Sequence, residues 1–544
     1  MKTIKTIGLI IFLTGMAIWT GSLFMGEFTL TQEQLDSFIN DKGIKSELLA
    51  EKLQDDVVGN TYGTFEFSGA VRGALAENNA YYDAQIAKYD AAKEWDKKGE
   101  QYQYRINDKD FQSFTFTLAK KAGSGFVKEN AGLMWWLTFG LGIFGALMFI
   151  FPNLVLLGKP GIKNDHIYHD NATNRGWIAW VVLIYLVTFY LALYFYSDYV
   201  VNWTFILDPI SNALNGGDAS QWFVYGFLYC TIMITMAVRM YIKYRHNKYQ
   251  IVRTTSVLFF QIVFAFLIPE IMASLGKPGY DFKNAFPLDY DFFFEWNINT
   301  LTESGGLGIF ILVWGIVLTL VIVPVMVYFF GKRWYCSWVC GCGGLAETLG
   351  DPYRQHSNKT MKAWKLERWL IHSVLVFSLV MTLVTLYCYF TGAESLLGIN
   401  TQWIKDTYSF LIGAWFAGVI GTGFYPIFGN RVWCRFGCPL AAYLGFVQRF
   451  KSRFRITTNG GQCISCGNCS TYCEQGIDVR AYAQKGENIV RSSCVGCGIC
   501  SAVCPRGVLK LENGPEKGRI NPTQVLLGND VDLMDYVNNE QHTA

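Results

Sequence analysis

Half of the 544 residues are hydrophobic and only 16% are charged, where an ordinary soluble domain carries about a quarter, so the chain is not built around one large soluble core. A net charge of +3 gives no reason to expect nucleic acid as a partner. Fifteen cysteines, ten of them clustered after residue 430, speak for metal ligation rather than a secreted disulfide framework.

A hydrocarbon core of about 30 Å takes about 20 residues of helix. On that measure the sequence predicts eight spans, at 7–25, 133–157, 177–197, 220–242, 255–274, 307–330, 369–391 and 407–428. The first starts with Lys2 and Lys5 but shows no small-residue cleavage pattern before Gly26-Glu27, so residues 1–25 are expected to remain as an anchor. Residues 26–132 are polar and mixed, helical-looking around Ala76–Lys98, and free of cysteine and histidine. A structural cap or docking surface is the expected role. Further on, basic loops (Lys159, Lys163, Arg175; Lys243, Arg245, Lys248, Arg253; Lys332, Arg333, Arg354) alternate with acidic ones (Asp198, Asp208, Asp218; Asp281, Asp289, Asp291, Glu295, Glu303). This bias places both termini in the cytoplasm of a bacterial inner-membrane protein and residues 26–132 in the periplasm.

Glu270, near the outer end of the fifth span, is an ionisable residue in an apolar run. It is a candidate proton acceptor for a quinol, with a solvated interfacial carboxylate an equal alternative. The aromatic outer loop 282–296 is expected to anchor at the interface, a quinone mouth being the second reading.

An internal repeat marks the last third. Gly331–Cys340 resembles Gly429–Cys438, and each copy follows a span. The pairs Cys336/Cys340 and Cys434/Cys438 are four residues apart, a spacing that shares one face if helical. Together they offer four thiolates, enough for an iron–sulfur cluster or a single metal ion, against ordinary buried cysteine as the plain alternative. Cys342 is an extra thiol that could replace or supplement a ligand; Cys230 and Cys388, isolated in spans, read as packing residues.

The sharpest signal comes last. Cys463, Cys466, Cys469 and Cys473 are spaced C-x2-C-x2-C-x3-C, and Cys494, Cys497, Cys500 and Cys504 repeat it, with Pro505 following. In this pattern the fourth cysteine of each run serves the other cluster, so Cys463, Cys466, Cys469 and Cys504 are expected on one [4Fe–4S] cluster and Cys494, Cys497, Cys500 and Cys473 on the other. Structural zinc favours separated C-x2-C knuckles instead. Glu474 stands where a proline is expected. The basic stretch Arg449, Lys451, Arg453 and Arg455 is expected to lie on anionic headgroups. The predicted fold is therefore mainly α: a polytopic bundle over 133–456, a small α+β ferredoxin domain over 457–513 and a polar tail over 514–544.

Paired Cys-x3-Cys-Pro motifs followed by a two-cluster ferredoxin resemble the membrane polyferredoxins of the NosR/NapH type and the membrane iron–sulfur protein of cytochrome oxidase assembly, over about residues 307–513. The second copy, with Cys438-Pro439, matches fully; the first has Gly341 in place of proline. The resemblance implies electron transfer connecting quinones, periplasmic or membrane reductase subunits and cytoplasmic carriers. The outer flavin attachment of NosR-type proteins is not expected, because Ser68-Gly69-Ala70-Val71 lacks the threonine that would bear the flavin. Haem is not expected either, since His166, His169, His246, His356 and His542 fall in loops or the tail and His372 at a span edge. Two rival functions stand beside electron transfer: a metal-reducing or metal-delivering assembly factor, and a redox-sensing regulator.

Overall fold

A computed structural model describes residues 1–152, 174–393, 395–396 and 398–513. Lys159, Lys163, His166, His169, the last residues of the second expected span and the tail 514–544 with His542 lie outside the described residues. Among the described residues, seven helices are long and apolar enough to cross a membrane: Lys2–Phe24, Ala131–Ile150, Trp177–Phe195, Gln221–Lys243, Lys248–Ser274, Gly306–Phe330 and Met361–Thr391. The protein is a mainly helical, multi-pass membrane protein with a C-terminal dicluster region. The eighth expected span, 407–428, is helical from Thr401 to Gly423, but it opens on a polar turn and is interrupted at Phe424, so it falls short of the other seven.

The chain divides into two compact units, one of Met1–Pro152 with Thr188–Leu228 and one of the remainder. In the first unit the anchor helix Lys2–Gly21 packs along Leu141–Ile150 through glycine. A Cβ on Gly8 would fall 2.7 Å from the Phe149 nitrogen, and one on Gly15 would fall 2.9 Å from the nitrogen of Gly142. Such small-residue seams let helix backbones touch in lipid, where van der Waals contact replaces the hydrophobic drive. The polar segment forms a three-stranded antiparallel sheet, with Glu27–Thr29 between Thr61–Gly63 and Gly123–Ser124, wrapped by helices that include Thr64–Ala91 and Phe111–Ala122. Two acids of the first acidic loop pack against it. Arg72 forks onto the fully buried Asp198 at 2.7 and 2.8 Å, and Lys120 reaches Asp208 at 2.6 Å. Ser68 is buried in the long helix, donating to the Asp198 carbonyl at 3.2 Å.

In the second unit the loop joining Ser274 to Glu295 does not stay at the end of its flanking spans. Trp314, in the third turn of the Gly306–Val317 helix and about 12 Å along it, donates its Nε1–H to the Phe282 carbonyl at 2.8 Å. Tyr335, beyond the far end of that span, donates to the Lys283 carbonyl at 2.9 Å. Ala285 shares a buried core with Leu318, Val323, Val327 and Cys336. The loop therefore dips into the bundle beside this span, which is tolerated because its backbone is buried in protein. Phe292 and Phe294 are core rather than interfacial anchors, Phe292 packing with Leu301 and Ile311 and Phe294 with Met381 and Tyr408, while Trp296 stays exposed. Glu270 sits half-buried in the first turn of Ile268–Ser274.

Candidate metal centres

Both copies of the repeat fold the same way. Each leaves its helix at a glycine with positive φ, Gly331 at +69° and Gly429 at +93°, where an L side chain is strained. One turn follows, closed by Ser337 N–H to the Arg333 carbonyl and Arg435 N–H to the Arg431 carbonyl, both at 3.0 Å. The amides of Cys340 and Cys438 then reach back five residues, to the carbonyls of Tyr335 at 2.7 Å and Trp433 at 2.9 Å. Cys340 and Cys438 are extended and cap the next helices, Gly341–Thr348 and Pro439–Lys451. The expectation that cysteines four apart share one helical face is thus corrected. One cysteine of each pair sits on a closing turn, the other on a helix N-terminus.

The four thiols nonetheless meet. Cys336, Cys340, Cys434 and Cys438 are 5–7% exposed, lie in one core and feel one another's charge. The Ala441 N–H points at the Cys438 sulfur at 3.3 Å, as the Gly343 N–H does at that of Cys340, so two helix N-termini face sulfur. Burial pushes the Cys336 thiol up to about 12 and raises Cys434 and Cys438 as well. The hydrogen bond with Cys342 instead lowers Cys340, to about 6. Four neighbouring thiols, none in a disulfide, suit a bound cation that holds them deprotonated. Cys342 hydrogen-bonds Cys340 from the first turn of the next helix, while the matching residue of the second copy is Leu440. Gly341 has no room for a ring like that of Pro439, because a Cβ there would lie 2.8 Å from Gln261 Oε1 and 3.1 Å from the Tyr229 hydroxyl.

The terminal module closes on an antiparallel pair, Phe454–Thr458 against Leu509–Asn513. Its two cysteine runs share one backbone: Ser465 and Gly496 have φ of +57° and +61°, Gly467 and Gly498 of +81° and +76°, and each run ends in a short helix. Cys463, Cys466, Cys469 and Cys504 line a single small cavity. Cys500 faces Cys497, Cys494 and Cys473. Cys469 of the first run also lies near Cys500, so the two groups adjoin. Their surroundings differ: Cys466 is exposed, whereas Cys494 and Cys500 are buried.

The second run is docked on the repeat. Ser337 donates to the Val495 carbonyl at 2.7 Å, Tyr249 to that of Gly496 at 2.8 Å and Gln250 to that of Cys497 at 2.8 Å. Val495 lies in the core that holds Cys336, Cys340, Cys434 and Cys438, and Cys497 packs against it. Between the two sets sits a buried ion cage that the sequence did not reveal. Arg431 pairs with Glu347 at 2.8 Å and Glu474 at 3.1 Å, and its guanidinium stands 3.7 Å from the Cys434 sulfur. Arg354 binds Glu474 at 2.6 Å, Asp351 at 2.8 Å and also Glu347. Arg253 meets Glu347 at 2.6 Å, and Arg239 and Lys243 meet Asp351 at 2.8 and 2.9 Å. Five cations thus face three carboxylates, and the excess positive charge suits neighbouring thiolates. Burial would raise the Glu347 carboxyl, but Arg253, Arg354 and Arg431 outweigh it and hold that group well below the usual range; burial and Glu347 leave Glu474 above it. The ligand atoms of Glu347, Glu474 and Cys497 lie within 4.8 Å of one another, yet the guanidiniums already occupy both carboxylates, so this is an ion cage rather than a cation site. Glu474 in place of proline is what ties the module to Arg354 and Arg431.

Other expected positions behave variously. Cys230 and Cys388 are buried in their helices. His356, expected in solvent, is buried beside Tyr353, and His372 lies within the Met361–Thr391 helix. Of the basic stretch, Arg455 is buried in its strand while Arg449 and Lys451 are exposed.

Residues 312–360, with the first cysteine pair, match a 4Fe-4S binding domain, and residues 434–509, with the second pair and both ferredoxin runs, match a 4Fe-4S dicluster domain. This chain carries 4Fe–4S-binding domains. Among curated proteins it is 27% identical over 160 residues to the putative electron transport protein YccM of Escherichia coli, covering 27% of this chain and 43% of YccM. It is 30% identical over 161 residues to the methylamine utilization ferredoxin-type protein MauN of Methylobacillus flagellatus, covering 28% of this chain and 53% of MauN. The chain spans about half the length of these relatives. No solved structure matches.

Proposed function

We propose that the protein is a membrane-bound iron–sulfur electron carrier with three cysteine stations in series, linking a quinone pool or periplasmic partner to a cytoplasmic redox carrier. When bound, [4Fe–4S] clusters take up and release single electrons. Cys463, Cys466, Cys469 and Cys504 hold the first, Cys494, Cys497, Cys500 and Cys473 the second, and Cys336, Cys340, Cys434 and Cys438 the third, with Cys342 a hydrogen-bond donor beside it. The observation that carries the reading is that Val495 and Cys497 pack into the core of the four repeat cysteines, so the stations adjoin. The exposed Cys466 end is the port for a soluble partner. The names of YccM and MauN, an electron transport protein and a ferredoxin-type protein, support the same class.

With the helical stretch Thr401–Gly423 taken as an eighth crossing, the loop cations favour cytoplasmic termini and residues 26–132 on the opposite, periplasmic side. On that orientation the re-entrant loop brings Asp281, Lys283 and Asp289 from the outer face towards the third station, a polar path suited to a partner that gives up protons with its electrons, such as a quinol. Glu270 is a second acceptor on the same side. Iron and acid-labile sulfide analysis with low-temperature EPR on anaerobically purified protein tests the reading. About twelve irons per chain are expected, falling by about four in Cys336→Ser or Cys434→Ser; about eight in all three proteins would remove the third station.

A further inference from the structure

A cavity of about 500 Å³ opens between the first turns of the Met361–Thr391 helix, the Pro439–Lys451 helix and the terminal module. Six cations line it against two carboxylates, and both carboxylates are engaged. Glu367 holds Arg435 at 2.7 Å, and Asp478 accepts from Ser470 at 2.7 Å and caps the Val479–Lys485 helix. Lys359, Arg368, Arg449 and Arg491 have no carboxylate partner among the described residues. Lys359 reaches only the carbonyls of Gln355 and Ser357, at 3.1 and 2.7 Å. Arg368 and Arg491 lie over the Trp364 ring, 4.9 and 5.2 Å from its centre.

Charges of one sign gathered around a roomy cavity repel one another unless an anion fills it. The rim says which kind. Met361, which lines it, and Trp369, Phe446 and Phe450, each next in sequence to a lining residue, are 58–77% exposed, and one of the flanking helices is long and apolar enough to cross a membrane. A soluble phosphate has no use for such a rim, whereas a phospholipid would lay its chains on it. We propose that this cavity is a specific site for the headgroup of an anionic glycerophospholipid, its phosphate held by Lys359, Arg368 and Arg491 with Arg449 at the edge. Basic pockets between membrane helices are suited to such headgroups. Cys434 lines the same cavity, so the bound headgroup lies beside the repeat cysteines.

The test uses the full chain in detergent, followed by native mass spectrometry and by reconstitution into nanodiscs of phosphatidylcholine with or without phosphatidylglycerol. Wild type is expected to retain phosphatidylglycerol through delipidation. The double variant Arg368→Gln/Arg491→Gln should bind it about tenfold more weakly or worse, with unchanged iron content showing an intact fold. Lys451→Gln, an exposed cation of the same basic stretch that does not line the cavity, should bind like wild type. Equal weakening in Lys451→Gln would reduce the effect to diffuse surface charge and overturn the site. Unchanged retention in the double variant would overturn it too, as would glycerol 3-phosphate binding as tightly as the lipid. None of these readouts needs electron transfer, so the proposed function and the lipid site fail separately.

Discussion

The two cysteine runs of the terminal module have one backbone and two environments. At the third residue of each run the chain needs positive φ, and the first run supplies it with Ser465, the second with Gly496. Ser465 is exposed. At Gly496 a Cβ would lie 2.6 Å from that of Arg333 and 3.0 Å from the Phe454 ring. The ligands fix the fold of a run; the neighbour decides which residues can build it. One run faces outward, the other is held against the helices of the same chain.

That contrast can be broken outright at the cysteines. Cys466→Ser should cost one cluster and leave the repeat site intact. Cys497→Ser should cost a cluster and also loosen the docked face, seen as a larger loss of thermal stability when visible absorbance is followed on heating. Equal losses would erase the distinction between the runs. Next comes the cage behind the docked run. Arg431→Gln takes one partner from each of two buried carboxylates that Arg354 still holds and should destabilise by about 2–3 kcal/mol, whereas Arg333→Gln, which rests on the rings of Phe454 and Trp338, should cost about 1 kcal/mol. Gly496→Ser should destabilise by about 1–3 kcal/mol through overpacking, while the reciprocal Ser465→Gly changes the melting temperature little. The smallest effect is expected from Gly341→Ala, where only the Gln261 and Tyr229 side chains must yield; below about 1 kcal/mol is expected, read as a small shift in the EPR signal lost in Cys336→Ser.

Seven of the eight expected spans were legible because hydropathy is a local property, and cysteine spacing is local in the same way. Long-range features were not. Glu347, Arg354, Arg431 and Glu474 look like ordinary charges scattered over more than a hundred residues, and three of the cations counted as loop charge for orientation, Lys243, Arg253 and Arg354, are buried in the cage. The re-entrant loop reads as an interfacial one because aromatic and acidic residues suit both places. The cysteine pairs were misplaced on a helix face although a signal was present: proline after Cys438 marks the first helical position, which makes Cys438 the cap, and Cys340 follows by repetition.

The exposure of Cys466 has a cost. A corner open enough for a redox partner is open to dioxygen as well, so damage in air should begin there and spread inward. A preparation that has bleached partially should still hold iron at the buried end, and its history of handling would be written in which cysteines have become oxidised.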